Sequence, residues 1–166
     1  VADVYRKALE PDPPTVSIVI PCYNKVASID RAIKSATAQQ NPALLEVIVV
    51  DDGSQDASVE KARRGETDGG IVRVIQQENR GVAHARNAGI AVARGKYIVC
   101  LDGDDWLEPD FLTLPLAALE KDRSLGIAYT GLRWHKADGT TGISPWPGGF
   151  EYDRQLRQQN QVPTCC

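Results

Sequence analysis

Short, largely apolar runs recur along the chain, separated by stretches in which apolar residues fall at helical spacing. VSIVI over Val16–Ile20 is closed by Pro21, VIVV covers Val47–Val50, a third run covers Ile71–Ile75, and YIVCL covers Tyr97–Leu101. These runs are short and mostly rich in β-branched residues, so they read as strands. Between the first two, Val26, Ile29, Ile33 and Ala36 recur at helical spacing and predict a helix over Val26–Ala38. Asp56–Arg64 predicts a short helix with Asp56 as its N-cap. Val82–Ala93 is alanine-rich and contains Gly89, which predicts a helix packed closely on the sheet. Apolar runs alternating with helices indicate parallel strands covered on both faces, the doubly wound α/β pattern.

The pattern changes after Asp105. Pro109–Asp122 predicts a mostly helical stretch, with Pro115 where an interior amide would be needed, so the helix is expected to start effectively at Pro115. Leu125–Trp134 predicts a further strand, and the Gly-, Pro- and Trp-containing stretch from Lys136 to Gly149 a loop with room for a hairpin. The first 14 residues, ending in PDPP, read as a helix-like linker, leaving residues 15–166 as one domain. The chain starts at Val1, lacks methionine and stops at VPTCC, so it is expected to be part of a longer protein.

Composition narrows the classes. A net charge of -3 and the absence of a basic stretch argue against a nucleic-acid partner. No apolar run approaches the ~18–20 residues that cross a bilayer, and the polar N-terminus is not a signal peptide, so a cytoplasmic location is expected. Cys22, Cys100, Cys165 and Cys166 have no zinc-like spacing and are expected to be reduced thiols.

In an open parallel sheet, ligands bind outside the carboxyl ends of the strands. Here three of those ends carry unusual residues: Pro21-Cys22-Tyr23-Asn24, Asp51-Asp52-Gly53-Ser54 and Asp102-Gly103-Asp104-Asp105. Clustered carboxylates repel one another and need a reason to coexist, either hydrogen bonds to a base or ribose or a divalent cation. Asp102-x-Asp104 suits a hard cation such as Mg²⁺ or Mn²⁺, which prefers oxygen ligands and shares them with substrate phosphates. An acidic protein that binds a diphosphate needs such a cation between them. There is no G-x-G-x-x-G after the first strand and no Walker A sequence, which argues against a dinucleotide or P-loop site.

Together, VSIVIPCYN, VIVVDDGSQD and NRGVAHARNAGIAVARGKYIVCLDGDDWLEPDFL resemble the family-2 glycosyltransferases in content and spacing, over about Val16 to Phe111. The resemblance implies a GT-A fold, a Rossmann-like α/β/α sandwich with a mostly parallel central sheet. It implies an inverting transfer from a nucleotide diphosphate sugar, most often a uridine one, to a hydroxyl on a saccharide, lipid or protein. On this resemblance Pro21 and Tyr23 cradle the base, and Asp52, with Asp51 beside it, accepts a hydrogen bond from it. Arg80 and Arg86 lie over the nucleotide, Asp102 sits near the ribose with Gly103 next to it, and Asp104, with Asp102, reaches the metal. Asn24 is expected to cap the following helix, and Asp105 to brace its loop. His135 is a candidate acceptor contact, Trp146 either stacks on a sugar or packs, and His84 is expected to be structural or solvent-facing.

The family's general base is expected beyond Cys166. Gly148-Gly149-Phe150-Glu151 resembles the segment before that base but follows the D-x-D loop too closely, leaving Glu151 and Asp153 poor substitutes. The alternative is therefore a module that binds the nucleotide sugar without turning it over. If a second half is absent, uncovered apolar sheet surface favours a homo-oligomer. A nucleotidyltransferase is disfavoured because PCYNK stands where that class needs a glycine-rich basic loop. A receiver-like domain is disfavoured because the acids follow the wrong strands.

Overall fold

The computed structural model describes residues 15–39, 45–66 and 70–144. Four parallel strands form one sheet: β1 (Val16–Cys22), β2 (Leu45–Asp51), β3 (Val72–Gln76) and β4 (Tyr97–Cys100), in the order β3-β2-β1-β4. Helices α1 (Ile29–Thr37) and α2 (Ser58–Arg63) link the first three strands on one face. Helix α3 (Val82–Val92) crosses β1 and β2 on the other face, carrying the chain from β3 past β1 to β4. The strand order therefore reverses between β1 and β4, the place where open α/β sheets bind ligands. This is the mostly parallel α/β sandwich expected from the apolar runs.

The two central strands are buried along their whole lengths. Ile18, Ile20, Val47 and Val49 pack under α1 with Ile29, Ala32, Ile33 and Ala36, while Val19, Ile48 and Val50 face Ala85 of α3. Residues alternate between faces along a strand, so both sets must be apolar, which is why no polar alternation is visible in the sequence. Helix α3 presents only small residues to the sheet. A Cβ on Gly89 would lie 2.3 Å from Val19 Cγ1 and 3.0 Å from Val50 Cγ2, so the glycine sets how closely helix and sheet approach.

β1 continues two residues beyond its expected end, through Pro21. Proline is tolerated in this central strand because of its edge. Val19 pairs with Cys100 as the last β1–β4 partner, and the Val19 carbonyl accepts from Leu101 N at 2.9 Å. Pro21, two residues on, turns its donor-less nitrogen to that same side, past the end of the ladder. On the other side pairing with β2 continues to Cys22 and Asp51.

Several boundaries differ from expectation. Helix α1 begins at Ile29, and Val26 is exposed. Asp56 does not occupy the N-cap of α2, which is Ala57. Instead its Oδ1 accepts from Ser58 N at 2.9 Å and from the Ser58 hydroxyl, and Oδ2 accepts from Val26 N at 3.2 Å, tying the two connections together. Helix α4 (Thr113–Lys121) starts before Pro115, which is its third residue. There the missing amide is one of the four that a helix start leaves unpaired, so the proline costs nothing. The strand expected over Leu125–Trp134 is reduced to β5 (Leu132–His135), which pairs antiparallel with β6 (Thr141–Ser144). The expected hairpin lies there; the linker of residues 1–14 and the stretch from 145 onward, with Trp146, Glu151, Asp153, Cys165 and Cys166, lie outside the described residues.

The close approach of α3 yields a stability prediction. Gly89→Ala should lower the unfolding free energy by up to about 2 kcal/mol, because at so close an approach an overpacking cost near the top of the usual range of about 1–3 kcal/mol exceeds alanine's ~1 kcal/mol helix advantage. Urea unfolding followed by circular dichroism measures it, and an unchanged or raised midpoint contradicts the packing.

Candidate functional site

The four carboxyl strand ends surround an open cleft of about 450 Å³, lined among others by Pro21, Tyr23, Lys25, Asp52, Asp102 and Asp104. Each wall is positioned by a different element. Asp52 is nearly fully buried just after β2. Its Oδ1 accepts from Gln77 Nε2 at 2.7 Å and from Arg80 N at 2.9 Å, and its Oδ2 from Gly81 N at 2.8 Å. Gly81, with φ of 89°, precedes α3 and turns its amide inward, which only glycine does without strain. A carboxylate at this helix start also meets the positive end of the helix dipole. Burial pushes the Asp52 carboxyl up, but hydrogen bonds from Arg80, Gln77 and Gly81 outweigh it and hold the group below the usual range. A carboxylate has about four acceptor positions, so one remains on Asp52 for a ligand donor.

Asp51 and Asp52 are adjacent and so point to opposite faces. Asp51, expected beside the base, turns away from the cleft; its Oδ2 accepts from Ser54 N at 3.2 Å, and its buried Oδ1 has no hydrogen-bond partner. Burial and the neighbouring Asp51 charge push the Cys22 thiol up to about 11, so it is protonated and unreactive at neutral pH. Cys22 and Cys100 are both free thiols.

Tyr23 is 43% exposed at the mouth of the cleft, with its ring open to a planar ligand. Asn24 does not cap α1. It adopts φ of 52°, donates its amide to Ser54 Oγ at 2.9 Å, and accepts from Gln55 N at 2.8 Å through Oδ1. It therefore clamps the first loop to the Asp52 loop.

The D-x-D loop forms the far wall. Asp102 pairs with Arg86 of α3, Nη2 to Oδ1 at 2.5 Å, and both side chains are about three-quarters buried. Arg86 stands behind Asp102 and does not line the cleft. The Arg80 side chain does not line it either; only the Arg80 backbone amide is used, while Asn79 next to it does reach the cleft. Gly103 lies where a Cβ would approach Pro21 O at 3.0 Å, so this loop passes close over the end of β1. Asp104 pairs with Lys25 Nζ at 2.5 Å. That hydrogen bond holds the Asp104 carboxyl below the usual range against partial burial, and it raises the Lys25 ammonium. Lys25 is the only basic side chain among the described residues lining the cleft, and the sequence reading missed it. Its signal was the K of PCYNK, one residue beyond the motif.

The Asp104 carboxylate suits a hard cation. It is 55% exposed, opens into the cleft, and already meets a positive charge in the Lys25 ammonium. Among the described residues no three His, Cys, Asp or Glu side chains converge, so no all-protein cage exists. One or two carboxylates completed by phosphates and water is the usual Mg²⁺ arrangement.

A second cavity adjoins this loop, lined by Trp106, Glu108, Arg133 and His135 among others. The Trp106 ring is capped by the Arg31 guanidinium at 3.9 Å and by the His135 ring at 4.9 Å. Arg133 Nε donates to Glu108 Oε1 at 3.0 Å. His84 is exposed near the start of α3, outside both cavities. Among the described residues no helix is long and apolar enough to cross a membrane.

Comparison with known proteins agrees with this geometry. The family model described as "Glycosyl transferase family 2" matches residues 17–166. The chain is 38% identical over 143 residues to a chondroitin synthase of Pasteurella multocida (strain Pm70), covering 82% of this chain and 15% of that protein. Among solved structures it is similar to residues 1–349 of S. aureus TarS, with a TM-score of 0.61 and 26% identity over 66% of this chain and 33% of that one. It is also similar to the mannosyltransferase PcManGT from Pyrobaculum calidifontis in complex with GDP-Man and Mn²⁺, with a TM-score of 0.59 and 28% identity over 78% of this chain and 40% of that one. These solved structures are glycosyltransferases of the GT-A fold. The chain thus spans well under half the length of each.

The Asp52 cluster makes a pH-dependent prediction. Asp52→Asn places an amide where three donors converge and should cost about 1–3 kcal/mol of stability at pH 7. Because the folded Asp52 is depressed, its contribution is complete above the unfolded value near 3.9 and is lost as pH falls through the lower folded value. The gap between wild type and Asp52→Asn should therefore narrow below about pH 4. Thermal melts at pH 7 and pH 3 check this; a gap that stays constant contradicts it.

Proposed function

Because the chain belongs to glycosyl transferase family 2, we propose that it forms the donor-binding part of an inverting, metal-assisted glycosyltransferase that uses a nucleotide diphosphate sugar, with a UDP-sugar as the favoured donor. The observation that carries this reading is that Asp52, Asp102 and Asp104, from two different strand ends, line one cleft at the point where the strand order reverses. Tyr23 offers a ring face for the base, Asp52 retains an acceptor position for a base donor, and Asp102, oriented by Arg86, faces the ribose. Asp104, with Asp102, would hold Mg²⁺ or Mn²⁺. Such a cation, when bound, would stabilise the negative charge that grows on the departing diphosphate. The Mn²⁺ and GDP-Man in the similar mannosyltransferase complex support a metal and a nucleotide diphosphate sugar.

In the proposed reaction the acceptor oxygen forms a bond to the anomeric carbon from the face opposite the diphosphate. The bond to the diphosphate breaks with its electron pair, and the acceptor proton passes to a base. The chain's own residues bind and orient the donor. The cavity beside Trp106 and His135 adjoins the D-x-D loop and is the described surface best suited to an acceptor hydroxyl of a saccharide, lipid or protein.

One observation favours the second reading, a module that binds without turnover. Each described acid lining the cleft is already paired: Asp52 with amides, Asp102 with Arg86 and Asp104 with Lys25. None is poised to accept a proton from an acceptor, so on either reading these three acids bind and orient the donor.

Calorimetry with UDP, with and without Mn²⁺, tests the proposal. Wild type should bind UDP more tightly with Mn²⁺, and Asp104→Ala should lose that enhancement, about 10-fold or more. Equal affinity of the two proteins removes the metal assignment, and no UDP binding by wild type removes the donor reading. Binding without release of sugar from a UDP-sugar favours the binding module.

A further inference from the structure

The segment from Lys25 to Arg31 grips the D-x-D loop at three points. Ser28 Oγ donates to the Gly103 carbonyl at 2.8 Å, and Arg31 Nη2 donates to the Asp104 carbonyl at 2.9 Å. Only the third contact, Lys25 Nζ to Asp104 Oδ2, touches a carboxylate. The first two hold the loop backbone whatever Lys25 does. The lysine's own backbone is also rooted: its amide donates to Ser58 Oγ at 2.7 Å, and its carbonyl accepts from Ser28 N and Ile29 N at 3.0 and 2.9 Å. Its ammonium is therefore free to change partner by side-chain rotation alone, with no movement of either loop.

The surrounding charges leave this ammonium a defined role. Asp102 is engaged by Arg86, and Asp52 by three donors across the cleft. Arg31 is spent on the Asp104 carbonyl and the Trp106 ring. Asp104 is thus the cleft carboxylate whose partner a cation, held with Asp102, would displace, and Lys25 already sits on it. A divalent ion and an ammonium cannot both contact one carboxylate without strong repulsion, since like charges at contact distance oppose each other in a partly desolvated site. A diphosphate entering the cleft supplies new anionic oxygens for whichever cation is displaced.

We infer that Lys25 is an exchange partner for the metal: its ammonium holds Asp104, yields that carboxylate to a divalent cation, and transfers to the diphosphate of the donor. This rests on the donor-binding reading for its last step and on the chain's own geometry for the first. The consequence is a coupling. Lys25 weakens metal uptake by the protein alone and strengthens it when nucleotide diphosphate is present, so metal and nucleotide bind cooperatively.

The test is Mn²⁺ binding followed by electron paramagnetic resonance, without nucleotide and with saturating UDP, on wild type, Lys25→Met and Lys25→Gln. Two neutral variants are used so that a single misfolding variant does not decide the outcome, and thermal melts establish that each is folded. Without UDP, the neutral variants should bind Mn²⁺ about 5-fold or more tightly than wild type. The factor by which UDP tightens Mn²⁺ binding should fall about 5-fold or more in both. Unchanged or weaker Mn²⁺ binding in the variants overturns the exchange, as does an undiminished UDP effect or the absence of Mn²⁺ binding in all three proteins. Failure of wild type to bind UDP would remove the donor reading, while the Mn²⁺ comparison without nucleotide would still decide whether Lys25 competes for Asp104.

Discussion

Burial of β1 and β2 on both faces is the constraint from which the rest of the molecule follows. Neither strand has a face on which polar residues could sit along most of its length. Chemistry is thereby pushed to the strand ends, where the chain leaves the sheet. At the carboxyl end Pro21 stops the β1–β4 ladder, and the strands separate there. The switch in strand order between β1 and β4 then opens a cleft whose walls come from loops that are distant in sequence.

The opposite end of the sheet shows what happens when polar groups are buried without a ligand to serve. Ser17 and Glu46, side by side on β1 and β2, are both buried, and they are satisfied within the protein. Ser17 Oγ donates to Glu46 Oε1, the Arg94 amide and guanidinium donate to the same carboxylate, and the Gly95 amide donates to Ser17 Oγ. Burial pushes Glu46 up, but these bonds hold it below the usual range. This closed network is a structural clasp that draws the turn after α3 under the sheet. At the cleft, by contrast, Asp104 keeps more than half its side chain exposed and its partner is a single, partly exposed lysine side chain. The difference between a satisfied buried acid and a half-exposed one with an exchangeable partner distinguishes structure from site.

Much of this was legible in the sequence. The apolar runs located all four parallel strands; β1 and β2 are apolar throughout because both their faces are covered, whereas the edge strands β3 and β4 are covered only in part and leave Arg73 and Ile98 exposed. The alanine and glycine of α3 likewise announced its close packing. The D-x-D and Asp52 loops were recognisable as strand-end loops. What could not be read was which way each side chain turned. Asp51 and Asp52 look equivalent in a string of letters, and only strand phase sends one into the cleft and the other beneath it. Arg80 was expected to lie over the nucleotide; what the structure shows of it at the cleft is its backbone amide on Asp52, a contact any residue but proline could make. Asn24 was assigned to a helix cap, yet its left-handed backbone directs it to the Asp52 loop. The β5 boundaries failed because Leu125–Trp134 is apolar without being covered: Leu125 and Ile127 are exposed, so hydrophobicity there does not report burial.

Charge balance in the cleft explains why Lys25 escaped notice and why it matters. Each acid that lines the cleft is met from a different element: Asp52 by the 77–81 turn, Asp102 by α3, and Asp104 by the segment leading into α1. Three carboxylates can therefore stand close together without mutual repulsion unfolding the loops. Two of these partnerships cannot be exchanged cheaply. Two of the three donors at Asp52 are backbone amides, and Arg86 is largely buried behind Asp102 with a planar, always-charged head. The third uses a flexible side chain with a compact charge, the one partner that can leave without disturbing the wall it supports. On the proposed reading, a site that holds together alone and also admits a cation and a diphosphate needs one weak link among strong ones, and the fold puts the exchangeable partner on the carboxylate most open to the cleft.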